Sequence, residues 1–188
     1  SKTVVGVDSF QRILRILQVA TSSLEPKVLF RNVVDSVFRE FPRFYHVSVF
    51  LVFKHSGVFA PMAIAGDTPE VFVDRYPGGY TQKLDVGLLG RAYTTARNVL
   101  VNDVTKDPGY HSAVAPTTMS ELCVPLKVEG EVIGVLNMES HKTNAFGPGD
   151  VDFFEILAEH LANAVRNSLV QDQLASSAGS PAELSDPR

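Results

Sequence analysis

The stretch 121–138 constrains this chain more than any other. Its two runs, ELCVPLKV and EVIGVLNM, are separated only by Glu129-Gly130. A two-residue connection ending in glycine between strand-like runs closes an antiparallel hairpin. Successive strand side chains point to opposite faces. Leu122, Val124, Leu126 and Val128 therefore share one face, and Cys123, Pro125 and Lys127 take the other. Gly130 permits the tight turn, and Gly134 removes a side chain where another element approaches the sheet.

The flanking segments supply more strands and the helices that cover them. Residues 46–54 are β-branched and aromatic, and His55-Ser56-Gly57 turns them into a second strand over 58–65. A short helix is expected over 88–97 and another strand over 98–104, followed by a loop over 105–118. Residues 66–82 read as irregular, with a short helix over 69–74. At the front, Asp8 and Gln11 have capping-box spacing ahead of Phe10, Ile13, Leu14 and Leu17. A second helix begins at Pro26, where a missing N–H costs nothing, with Leu29, Val33 and Val37 on its apolar face. The last helix opens near Pro148 and Asp150 and runs to about Leu174, with Phe154, Leu157, Leu161, Val165 and Leu169 in one stripe. Helices at both ends and an antiparallel sheet between them define an α+β fold with five or six strands. The expected organisation is a flexible lead over 1–7, one domain over 8–174 and a disordered tail over 175–188.

Composition removes several classes of function. With 17 basic and 21 acidic residues the net charge is −4, which argues against a nucleic-acid surface. There is no apolar run of about 18 residues, so no membrane-spanning helix is expected. No basic region followed by an apolar core opens the chain, so no signal peptide is read. The single cysteine, Cys123, excludes an intrachain disulfide and suits a reducing, cytoplasmic setting. Ser1 in place of methionine is expected of a processed product or of a fragment excised from a longer protein.

The segments VNDVTKDPGY (101–110) and SELCVPLKVEGEVIGVLNMES (120–140), then Phe146 and Asp150 opening a helix, resemble the GAF domain, a small-molecule sensory module of signalling proteins. GLLGRAYTTARNVLVNDV (87–104) fits the same family. The resemblance implies a sheet with the terminal helices on one face, and loops and short helices over a ligand pocket on the other. For the pocket it suggests Tyr110, His111, Thr118, Ser120 and Cys123, with Phe50 and Tyr80 as apolar walls. It implies a non-catalytic sensor that binds an unknown small molecule, or senses redox state, and biases a homodimer built through the terminal helices. The output partner would be a kinase, cyclase, phosphatase or transcription regulator. No cofactor is required by the residues, and no metal site is read.

Within the family, three alternatives bear on particular residues. Some GAF sensors hold haem through a histidine in the loop before the SEL-VPL strand, where His111 stands. Free methionine-R-sulfoxide reductases need a nucleophilic and a resolving cysteine, and Cys123 has no second cysteine in the chain. A ligand-free dimerisation or protein-interaction module is the third. The cyclic-nucleotide signature is matched at Lys142, Phe146 and Asp150, while His141 and Val151 replace its asparagine and glutamate. A Lys142–Asp150 ion pair bracing the loop is the structural expectation from those positions. Asp103 and Asp107 are expected to cap backbone N–H groups.

Overall fold

The computed structural model of the 188-residue chain describes residues 7–20, 25–66, 79–112 and 117–178. Two helices lead, α1 (Val7–Ala20) and α2 (Pro26–Glu40), followed by the strands β1 (His46–Phe53), β2 (Val58–Gly66) and β3 (Gln82–Lys83). Then come α3 (Gly87–Thr95), β4 (Val99–Val101), a 3-10 turn (Val104–Lys106), β5 (Ser120–Val128), β6 (Glu131–Ser140) and α4 (Asp150–Ala178). The strands form one six-stranded antiparallel sheet in the order β3-β2-β1-β6-β5-β4. This is the expected α+β architecture. The helix expected over 69–74 and the tail beyond 178 lie outside the described residues, as do residues 1–6 of the lead.

Alternation divides the sheet into two layers. Val47, Val49, Leu122, Val124, Leu126, Leu136 and Met138 point to one side and are buried with α1, α2 and α4. Five phenylalanines join that layer where α2 leads into β1 and where α4 begins. Phe44 stacks on Phe41 and Phe146 at centroid distances of 5.5 and 5.0 Å, and Phe41 meets Phe153 and Phe154 at 5.2 and 5.0 Å. Offset and edge-on ring contacts of this kind add to the area that the rings bury.

The β5–β6 turn has the geometry expected of it, with Glu129 at φ 52° and Gly130 at φ 82°. Both central residues are left-handed, which is the turn that matches strand twist. At Gly134 the close approach comes from the neighbouring strand: a Cβ there would lie 2.6 Å from the Phe50 carbonyl oxygen.

Several boundaries differ from the sequence reading, each for a local reason. The strand expected over 98–104 stops at Val101. Asp103 accepts from Thr105 N at 3.1 Å and starts the 3-10 turn instead. The two-residue strand β3, paired with Val58 and Phe59, is too short to leave an alternation signal. α4 continues to Ala178, past the expected end near Leu174. Leu161 and Val165 of its apolar stripe are 1% and 4% exposed, buried within this one chain. The Lys142–Asp150 pair does not form. Asp150 accepts instead from Arg43 Nη2 at 2.6 Å and from Gly147 N at 2.5 Å, because the chain entering β1 lies closer to the start of α4.

A buried polar grid on the second sheet face

The second face of the sheet differs in kind from the first. One part is apolar: Phe50, Phe59, Tyr80, Val99, Cys123 and Val135 pack with Leu88, Leu89 and Ala92 of α3. The other part is polar. The strand register places His46 of β1 opposite Glu139 of β6, which lies opposite Glu121 of β5. One step along, Ser48 lies opposite Asn137, and Asn137 opposite Cys123. His46, Ser48, Glu121, Cys123 and Asn137 are all buried. Polar side chains are rarely buried without hydrogen-bond partners, and most of this grid is wired together.

Glu139 is its hub. Oε1 accepts from Asn137 Nδ2 at 3.0 Å, and Oε2 accepts from Thr118 Oγ1 at 2.7 Å and from Tyr45 OH at 2.9 Å. The Tyr45 and Thr118 hydroxyls lie 2.5 Å apart. Cys123 Sγ sits 3.3 Å from Asn137 Oδ1 and 3.4 Å from Glu121 Oε1. His46 Nε2 lies 3.0 Å from Ser48 Oγ. Tyr110, half-buried, hydrogen-bonds Thr118 and feels the charges of Glu139 and Glu121.

Burial dominates the electrostatics. It pushes the Glu121 carboxyl well above the usual carboxylate range, and the Glu139 charge adds to the effect. The Cys123 thiol is pushed up by burial first and by Glu121 second, so it stays protonated at neutral pH. The His46 imidazole is pushed down by burial, which Glu139 opposes.

The roof is fastened at several points. Arg91 of α3 makes a bidentate pair with Asp107, at 2.8 and 2.7 Å. Asp107 Oδ1 also accepts from Gly109 N at 2.8 Å. The capping expected of Asp103 and Asp107 is therefore present. At the other end of the segment, Thr118 is tied to Glu139 and Tyr45.

The residues singled out from sequence fall into three groups. Phe50, Tyr80, Tyr110, Thr118 and Cys123 lie on or over the second face. Ser120 does not. It shares its parity with Leu122 and Val124, belongs to the helix side, and donates to the Lys142 carbonyl at 2.6 Å. His111 is exposed, with its Cβ 3.1 Å from where a Gly87 Cβ would stand. Sequence reasoning missed Glu121, Asn137 and Glu139, together with His46, Ser48 and Tyr45. The signal was present: Glu121 has the same parity as Cys123, and Asn137 and Glu139 alternate with the apolar Leu136 and Met138.

An antiparallel sheet flanked by terminal helices, with buried polar side chains on its far face, defines an α+β domain. The profile of the GAF domain family matches residues 23–166, and the chain belongs to that family. It is 35% identical over 77 residues to GAF domain-containing protein A of Dictyostelium discoideum, covering 41% of this chain and 48% of that protein. The chain thus spans about half the length of the curated relatives it matches. Among solved structures it is similar to free methionine-R-sulfoxide reductase from Neisseria meningitidis in complex with its substrate, with a TM-score of 0.76 and 20% identity. That match covers 89% of this chain and 96% of the other. The GAF domain of the Acinetobacter phosphoenolpyruvate-protein phosphotransferase also matches, with a TM-score of 0.76 and 20% identity, over 90% and 99% of the two chains. Likeness at this identity establishes the fold. Among the described residues, no helix is long and apolar enough to cross a membrane.

Proposed function

We propose that this GAF domain is a non-catalytic sensor. A small ligand is held on the second face of the sheet by Glu121, Asn137, Glu139 and the Tyr110–Thr118 roof. The observation that carries the reading is the grid itself. Buried polar side chains destabilise a fold unless they are satisfied, and a row of them under a separately fastened segment fits a specificity surface. Ligand binding would bias an attached or partner output module only by favouring one conformation over another. A thermal-shift screen across a metabolite panel tests this. At least one compound should stabilise the wild type, and Asn137→Leu should abolish that shift. A panel without effect would contradict the proposal.

The reductase-like neighbour makes catalysis the natural rival. Cys123 is fully buried and is the only cysteine in the chain. Its thiol is held protonated by its surroundings. The thiolate is the nucleophile in such chemistry, and a resolving thiol must close the cycle. Supplied with free methionine-R-sulfoxide and a dithiol reductant, the protein should show no turnover. Turnover lost in Cys123→Ala would overturn the non-catalytic reading.

A second copy of the chain is the partner proposed for the outer surface of α1 and α4. Leu14 and Val170 are 49% and 48% exposed there. At about 1.5 Å per residue, the 29 residues of α4 extend well past Val165, its last buried side chain among those described. Analytical ultracentrifugation should show a dimer that Leu14→Glu weakens.

A further inference from the structure

We propose that the groove between α1 and α2 binds a phosphate group, free or carried on a small organic molecule. The groove lies on the helix side of the sheet, apart from the polar grid on the second face, and needs no ligand on that face.

Among the described residues, the buried side-chain atoms left without a hydrogen-bond partner are Ser36 Oγ and Arg12 Nε. Both belong to the junction where α1 packs on α2. Ser36 is 3% exposed. It lines a cavity of about 340 Å³ together with Arg15, Ile16 and Gln18 of α1 and Arg39 and Glu40 of α2, a volume that suits a small ligand. A buried hydroxyl within a helix ordinarily finds a partner, often the carbonyl one turn earlier. Ser36 has none, and the helix gains nothing from it, since alanine has the better helix propensity and buries no polar group. The hydroxyl is a penalty to the protein alone and an available donor to a ligand.

The groups around that hydroxyl are donors as well. Arg12 Nε and Arg15 Nη2 approach one oxygen, Glu40 Oε2, at 3.8 and 3.9 Å, beyond hydrogen-bonding distance. Arg12 lies over the Phe41 ring, 5.1 Å from its centroid, and backs the cavity rather than lining it. Arg39 has no ion-pair partner among the described residues. Glu40 and the partial negative charge at the C-terminal end of α2 offset only part of three guanidinium charges. An anion with several acceptor oxygens supplies what these groups lack. Guanidinium pairs with phosphate through two parallel hydrogen bonds, which adds geometry to charge. Here the donors come from two helices and from the buried wall, so they approach from different directions. A tetrahedral phosphate presents oxygens to each, whereas a carboxylate offers two in one plane. The cavity exceeds one phosphate ion, and Ile16 gives its wall an apolar part, which leaves room for an attached organic group. The bound anion bridges α1 to α2 and so fixes the helix on which Leu14 is 49% exposed.

Isothermal titration calorimetry of the full chain in low-salt HEPES buffer, with inorganic phosphate, glycerol 3-phosphate, acetate and glycerol, tests the proposal. Inorganic phosphate should bind or glycerol 3-phosphate should, acetate should bind more weakly, and glycerol should not bind. Tighter binding of glycerol 3-phosphate assigns an organic phosphate, and equal or weaker binding assigns the free ion; either result supports the site. Arg39→Gln and Ser36→Ala should each weaken binding by about tenfold, as loss of a hydrogen bond to a charged group does. Without ligand, Ser36→Ala should melt no lower than the wild type, because the hydroxyl it removes has no partner. Arg39 is exposed, so Arg39→Gln carries the test should Ser36→Ala fold poorly. Lys142→Gln, in the connection from β6 to α4, should bind as the wild type does. Acetate binding as tightly as either phosphate compound, no binding by both phosphate compounds, or full affinity in Arg39→Gln or in folded Ser36→Ala would overturn the proposal. So would a loss in Lys142→Gln as large as that in Arg39→Gln.

Discussion

Glu121 should destabilise the unliganded protein, and the size of the effect should depend on pH. In the unfolded chain a glutamate titrates near pH 4.3. In the folded chain burial and Glu139 hold Glu121 well above that range. Between the two values the folded state binds one proton more than the unfolded state, so stability falls as pH rises through the window. The slope is up to about 1.4 kcal/mol per pH unit and ends once the folded-state carboxyl has ionised. Glu121→Gln keeps the acceptor near the Cys123 thiol and removes the titration. The variant should therefore gain on the wild type as pH rises from 5, by up to that amount per unit. His46 works in the opposite direction. Its folded-state value is depressed, so its contribution is lost as pH falls below about 6.5. Because His46 is present in both proteins, subtraction removes most of its effect. Urea denaturation of both proteins, followed by far-UV circular dichroism at pH 5, 6, 7 and 8, gives the difference directly. A difference that stays flat with pH would refute the burial argument, and a variant less stable at every pH would refute it more strongly.

Other substitutions probe the layers separately. Phe154→Ala removes the ring packed against Phe41 and Phe44 and should cost about 3–5 kcal/mol in chemical denaturation. Asp150→Ala breaks the pair with Arg43, which is 40% exposed, and removes the acceptor of Gly147 N; the loss through the ion pair should be no more than about 1 kcal/mol. Gly134→Ala drives a methyl group onto the Phe50 carbonyl and should lose about 1–3 kcal/mol. Cys123 should resist iodoacetamide in the native protein and react once urea exposes it, as mass spectrometry would show. Ready labelling without denaturant would contradict its burial.

Much of the scaffold was legible because it rests on local periodicity. The β5–β6 turn, the division of Leu122 and Cys123 onto opposite faces and the start of α2 at Pro26 follow from spacing and backbone chemistry alone. The site was less legible, since it depends on register between strands distant in sequence. Glu121 and Glu139 look like solvent-facing strand residues until pairing places them together under Thr118 and Tyr110. The resemblance suggests Ser120 for the pocket, yet its parity is that of Leu122, and a shift of one residue reverses the face. The expected Lys142–Asp150 pair depended on loop geometry that spacing does not encode, and Arg43 took the position.

We propose that this domain recognises a ligand on the polar half of its second sheet face. Amide chemical-shift mapping during titration with a compound that stabilises the protein tests it most directly. The largest changes should fall on Glu121, Cys123, Asn137, Glu139, Tyr110 and Thr118. Changes confined to α1, α2 and the helix-side core, with those six amides unmoved, would contradict it.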